Sequence, residues 1–192
     1  MISEEKETEE YQNRYRFWTD KRISQLSFFN NLLLTIGIVM IGYIWSENTN
    51  FYINLINIKW NITLLFLALA FNGFSILTGL ILAISRLYDL RLTSNIMLTR
   101  KRALKNDIKL DTISPEKESF LITLCSVIFK YNDYSISSND INKEKLKILN
   151  YKFIKLRVLS NSLGIGTWKL LNYQIITFLF SIIFLFLSTL VN

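Results

Sequence analysis

Three long apolar blocks without any charged residue interrupt an otherwise charged chain. They cover residues 30–46, 62–85 and 170–191. A helix needs about 20 apolar residues to cross the hydrocarbon core of a bilayer, and the blocks are of this order. A buried core helix is the alternative for any one block, but the lack of charge over such lengths disfavours it. The pattern predicts three transmembrane helices, with aromatic residues near their ends, at Tyr43, Trp45, Trp60 and Trp168.

The polar stretches between the blocks carry helical patterns of their own. Residues 1–29 predict an N-terminal amphipathic helix, in which aromatic residues recur at helical spacing: Tyr11, Tyr15 and Trp18. The second block has no Gly or Pro after it until Pro115, so its helix is expected to continue beyond the membrane. Further helices are expected from Ser114 to Tyr131 and from Ile141 to Ser160. The glycines of 164–166 indicate a hinge before the third span.

Basic residues are distributed unevenly between the segments that the spans separate. Residues 86–169 contain 16 basic and 8 acidic groups, and residues 1–29 contain 5 and 6, whereas the only base in 47–61 is Lys59. Because basic residues near membrane edges remain in the cytoplasm, the N-terminus and 86–169 are expected there. The 47–61 loop then lies outside the cell. The last helix, 170–192, crosses the membrane and places the C-terminus outside as well. The predicted fold is an all-α membrane protein with three transmembrane helices, the hairpin 30–85 among them, and a cytoplasmic helical bundle.

The composition excludes several kinds of chemistry. The chain has no His and one Cys, so it offers no imidazole base, no His-containing metal site and no internal disulfide. Cys125 is expected to be a small buried thiol in an apolar helix face. No catalytic residue, cofactor site or metal site is therefore predicted, and an enzyme is disfavoured.

Small and polar residues form stripes in two of the predicted spans. In the second span, small and polar residues follow a spacing of three and four: Ala68, Asn72, Ser75, Gly79 and Ala83. In the third span, hydroxyl groups recur at Thr177, Ser181 and Ser188. Such residues allow helices to approach closely and to form hydrogen bonds between them. The alternative is that they face water in a pore, which with three spans per chain would require several subunits.

Charged residues at the end of the second span form two further groups. Arg86 and Asp89 are three residues apart and can pair, and with Arg91 they can anchor the span or act at a gate. A basic cluster follows at Arg100, Lys101, Arg102 and Lys105. Attraction to anionic lipid is its simplest role, and binding of an anionic ligand or nucleic acid is the alternative.

Two short segments beside the hairpin resemble a known family. Tyr15–Arg22 (YRFWTDKR) precedes the first span, and Ser85–Thr93 (SRLYDLRLT) leaves the second. Together they resemble the SLATT proteins, small membrane effectors of bacterial conflict systems, over roughly residues 10–105. That family combines an N-terminal cytoplasmic helix, a transmembrane hairpin and a helical cytoplasmic tail. The third span departs from this two-span plan.

The resemblance implies a function and a set of partners. It implies an effector in the bacterial inner membrane that oligomerises with itself and permeabilises the membrane during anti-phage defence, so that the cell stops growing or dies. The expected partners are membrane lipid and a nucleotide-second-messenger synthase, or a reverse transcriptase or its nucleic-acid product. A non-catalytic membrane adaptor that recruits a cytoplasmic partner is the main alternative, and a lipid-modifying enzyme is a weaker one.

Overall fold

A computed structural model describes residues 2–47, 60–106, 108–110, 118–137, 140–141 and 146–191. Four helices account for most of this part of the chain: α1 (Ile2–Glu47), α2 (Trp60–Lys105), α3 (Phe120–Tyr134) and α4 (Leu146–Leu190). No strand occurs within the described ranges, which confirms the all-α prediction for them. Most of the 47–61 loop and the predicted helix start at Ser114 and Pro115 lie outside the described residues.

Three of the helices contain a segment long and apolar enough to cross a membrane. These segments are Ile23–Ser46 in α1, Trp60–Lys105 in α2 and Leu146–Leu190 in α4. Each contains one of the three uncharged blocks. The apolar side chains of these blocks are more stable in lipid or in a protein interior than in water. The chain therefore has the makeup of a multi-pass membrane protein.

Two of the long helices, α2 and α4, are continuous along their whole length. As expected, α2 continues from its apolar block to Lys105. The hinge predicted at 164–166, however, is wrong, because α4 is helical throughout this stretch. A glycine inside a helix costs only about 1 kcal/mol relative to alanine, which packing against a neighbour can offset. Gly166 is buried directly beneath the ring of Phe120, so that close contact explains the glycine.

The chain divides into two compact units. The first contains α1, α2 as far as Gly79, and α4 from Tyr173 onward. In this unit large apolar side chains are exposed, for example Ile38 and Phe74, while amide and hydroxyl side chains lie inside. Apolar side chains such as Ile44 and Phe178 are buried as well, so an apolar surface surrounds a mixed interior, which is the arrangement expected for helices that face lipid.

The second unit, Leu80–Asn172, has an apolar core contributed by α2, α3 and α4. The beginning of α3 is fixed to α4 by polar contacts: the Glu118 backbone N–H donates to Ser162 Oγ at 3.0 Å, and Lys155 Nζ lies 2.5 Å from Glu118 Oε1. Cys125 is exposed, so its predicted burial is wrong. The reason is that α3 buries the opposite face, which carries Thr123, Leu124 and Val127.

Candidate functional site: the polar contacts of the membrane helices

Asn72 connects the first two helices in the interior of the first unit. Its side chain is fully buried, and Nδ2 donates a hydrogen bond of 2.8 Å to the backbone carbonyl of Gly37 on α1. A Cβ on Gly37 would lie 2.9 Å from Asn72 Oδ1, so glycine is what allows the two helices to come this close. Between the two predicted roles, this geometry corresponds to helix packing within one subunit.

Ser75 and Ser181 connect α2 to α4 in the same way. Ser75 Oγ donates to the backbone carbonyl of Gln174 at 3.1 Å, and Ser181 Oγ donates to that of Ala68 at 2.8 Å. Both hydroxyl groups are buried. Because they bond to a neighbouring helix, they satisfy polar atoms that would otherwise be costly in an apolar environment.

Two other members of the predicted stripes are placed differently. Thr177 is half-buried, and its hydroxyl bonds back to the carbonyls of Tyr173 and Gln174 in its own helix. Ala83 is exposed, so the close-packed small-residue face of α2 ends before it. Both differences arise because the rotation of a helix, and not the spacing of small residues alone, decides which side faces a neighbour.

Gln174 is a buried polar residue that the sequence analysis did not select. Its side chain is fully buried, and neither Nε2 nor Oε1 makes a hydrogen bond to the protein. A signal for it was present in the sequence. Gln174, Ser181 and Ser188 are seven residues apart, which places them on one helix face.

Gly79 is the point where three helices meet. A Cβ on Gly79 would overlap Gln174 Nε2 of α4 and would lie 3.0 Å from Asn30 Oδ1 of α1. Asn30 is also buried, and its Oδ1 has no hydrogen-bond partner in the protein. Three helices thus bring two amide groups together over a glycine, without a hydrogen bond between them.

In the second unit, the predicted pair of Arg86 and Asp89 forms. Arg86 Nη1 donates to Asp89 Oδ2 at 3.3 Å, and Ser160 Oγ on α4 donates to Asp89 Oδ1 at 2.8 Å. One turn earlier on α2, the hydroxyls of Ser85 and Thr167 are 3.1 Å apart. Asp89 therefore joins α2 to α4 through a buried carboxylate. Its role as an anchor or as part of a gate stays a prediction.

The remaining predicted residues lie on the surface of the second unit. Arg91 stacks over the ring of Tyr131, with 5.0 Å between the guanidinium carbon and the ring centroid. The basic cluster is exposed at all four positions, Arg100, Lys101, Arg102 and Lys105. Exposed cations at one helix end can bind lipid headgroups or other anions.

Titratable groups offer little chemistry in the described part of the chain. Among the described residues, no group of three or more Cys, Asp or Glu side chains is close enough to hold a metal ion. At Asp140, the backbone N–H of Ser137 donates to Oδ2 at 3.0 Å and holds the pKa of the carboxyl below its usual value. Lys152 Nζ, 3.4 Å from the same oxygen, acts in the same direction.

No protein-family model, curated protein or solved structure matches this chain.

Proposed function

We propose that this chain is a SLATT-like effector of bacterial anti-phage defence, held in the inner membrane by its three apolar helices. In this proposal several copies assemble and permeabilise the membrane when a nucleotide-related partner triggers them. The N-terminus and residues 86–169 face the cytoplasm, where such a partner is found. The protein performs no catalysis and needs no cofactor.

The observation that carries this proposal is the combination of an apolar outer surface and buried polar side chains in the first unit. Its outer surface is apolar, as at Ile38 and Phe74, while Asn72, Ser75 and Gln174 are buried inside. Such a unit is compatible with lipid at rest, and its interior contains the polar groups that a water-filled path requires. Rearrangement of the helices in an oligomer would bring these groups to the wall of a pore.

Conductance of the purified protein in planar bilayers tests the proposal. We expect discrete conductance steps whose frequency rises steeply with protein concentration, because several subunits are needed. Asn72→Leu removes the hydrogen bond to Gly37 at 2.8 Å and should change the frequency or size of the steps. Silent bilayers at every concentration, also with lysate of infected cells, would count against a pore.

An adaptor remains the second candidate, because α3 presents an uncovered apolar face in the second unit. Leu121, Ile122 and Phe129 are 67%, 68% and 83% exposed. Beside the end of α3, a cleft of about 400 Å³ is lined by apolar residues and by four polar ones, Arg91, Ser94, Asn95 and Arg102. In an adaptor, Phe129→Ser should abolish function while Asn72→Leu leaves it intact. A pore-forming effector predicts sensitivity to Asn72→Leu.

A further inference from the structure

The contact of α1, α2 and α4 at Gly79 differs from the other polar contacts of the first unit. At Asn72, Ser75 and Ser181 a side chain donates a hydrogen bond to the backbone of a neighbouring helix. At Gly79 the Asn30 and Gln174 amides are buried side by side, but three of their polar atoms have no partner in the protein. These three side-chain atoms therefore contribute no hydrogen bond to the contact between the helices.

Burying an amide without a hydrogen bond costs free energy, and the cost rises where water is absent. Water that reached Gly79 would recover this free energy by bonding to Gln174 Nε2, Gln174 Oε1 and Asn30 Oδ1. At Asn72 only Oδ1 lacks a partner, and the hydroxyls of Ser75 and Ser181 are already hydrogen-bonded, so water would gain less at these positions than at Gly79. Entry of water is thus favoured at Gly79 over the other polar levels of the unit.

The position of this contact along the chain also favours hydration. Gly79 is seven residues before Arg86, and Gln174 is five residues after Lys169. At 1.5 Å per helical residue, the charged ends of the apolar blocks are about 10 Å or less away along each helix. Water therefore has a short path to the amides compared with the full thickness of a bilayer.

We propose that Asn30 and Gln174 form a water-binding site at Gly79, and that hydration of this site separates α1, α2 and α4 when the protein opens. Glycine at position 79 lets the amides remain buried at rest, because any side chain there would displace Gln174. The inference rests on the proposed pore function and assigns the residues that control opening.

Two substitutions with opposite expected effects test this site. Gln174→Leu removes the unpartnered amide at similar size, whereas Gly79→Ala places a methyl group where Gln174 Nε2 lies. Gly73→Ala, on the same helix, is the matched control because no atom lies within 4 Å of its Cβ position. The measurements are hydrogen–deuterium exchange of the α2 segment around Gly79 in lipid nanodiscs, the melting temperature, and release of dye from phosphatidylethanolamine–phosphatidylglycerol vesicles.

We expect Gln174→Leu to slow exchange around Gly79 and to raise the melting temperature by about 2–4 °C. Gly79→Ala should accelerate exchange, lower the melting temperature by a similar amount and increase dye release several-fold. Gly73→Ala should leave exchange around Gly79 and dye release unchanged, and its gain in melting temperature measures the helix propensity that Gly79→Ala also acquires. Faster exchange or a lower melting temperature in Gln174→Leu would overturn the assignment, since it would mean that the buried amide stabilises the resting protein.

The readouts separate failure of this site from failure of the proposed function. If exchange responds to the variants as expected but vesicles never leak, the pore function is refuted and the water site stands. If vesicles leak equally with Gln174→Leu, Gly79→Ala and the parent chain, and exchange is unchanged, the site is refuted and the pore stands. If Gly79→Ala fails to insert into the membrane, the change in exchange and melting temperature of Gln174→Leu decides by itself whether the water site stands.

Discussion

Alanine at Gly164 should stabilise the protein, whereas alanine at Gly166 should leave its stability unchanged or lower it, although the two positions are two residues apart on α4. A Cβ on Gly166 would overlap three ring carbons of Phe120, whereas a Cβ on Gly164 has no atom within 4 Å. One of the overlapped carbons is Cγ, which stays in place when the ring rotates about the Cβ–Cγ bond. Phe120 must therefore move as a whole.

The magnitudes follow from two opposing terms. Replacing a helical glycine by alanine stabilises a helix by about 1 kcal/mol, and Gly164→Ala should gain most of this. Gly166→Ala has the same gain, but inserting a methyl group into a packed contact costs about 1–3 kcal/mol. For a chain of this size 1 kcal/mol shifts the melting temperature by about 2–4 °C. We expect a higher melting temperature for Gly164→Ala, and an unchanged or lower one for Gly166→Ala.

Thermal unfolding in detergent, followed by far-ultraviolet circular dichroism, measures these shifts. A double variant provides the control: with Phe120→Ala in place, Gly166→Ala should become stabilising, because the ring that it displaces is gone. A lower melting temperature for Gly164→Ala would indicate that 164–166 is a hinge after all. Equal stabilisation by both alanines would refute the contact between Phe120 and Gly166.

Three further predictions concern the second unit. Asp89→Asn should lower the free energy of unfolding by about 2 kcal/mol, because a charged acceptor is lost beside Arg86. Chemical denaturation measures this, and the double variant Arg86→Met/Asp89→Leu should be more stable than Asp89→Asn because it leaves no unpaired charge. A double variant no more stable than the single one would contradict this explanation. The folded-state pKa of Asp140 is lowered, so its contribution is present above about pH 4 and is lost as the pH falls through the folded-state value. Asp140→Asn should therefore lower the melting temperature more at pH 7 than at pH 3, and an equal effect at both would exclude the charge as its cause. Cys125 is exposed and is the only cysteine, so a membrane-impermeant maleimide should label it in inverted inner-membrane vesicles and not in intact spheroplasts; the reverse labelling pattern would contradict the proposed orientation.

The sequence predicted the features that depend on neighbours along one helix. Uncharged blocks identified the three long apolar helices, and the three-residue spacing of Arg86 and Asp89 identified their pair. These features depend only on helical geometry and on the hydrophobicity of each residue, and both can be read from a single sequence.

Features that depend on contacts between helices were not predictable in the same way. The glycines at 164–166 suggest a hinge until Phe120 is seen to fill the space above Gly166. Likewise, the spacing of Gln174 from Ser181 and Ser188 places it on their helix face, but its burial and its lack of partners depend on contacts with other helices. The spacing of small residues predicted which residues of α2 face inward near Asn72, but the exposure of Ala83 depends on which helices lie beside it.

The membrane potential of bacteria that express this chain tests the central claim most directly. A potential-sensitive dye should report rapid depolarisation when the protein is induced and the cells are challenged with phage, and Gln174→Leu at equal expression should delay it. The proposed pore predicts this result, because an open pore would let ions cross the inner membrane. A steady potential in every condition, including infection, would contradict a pore and would leave the adaptor as the better account.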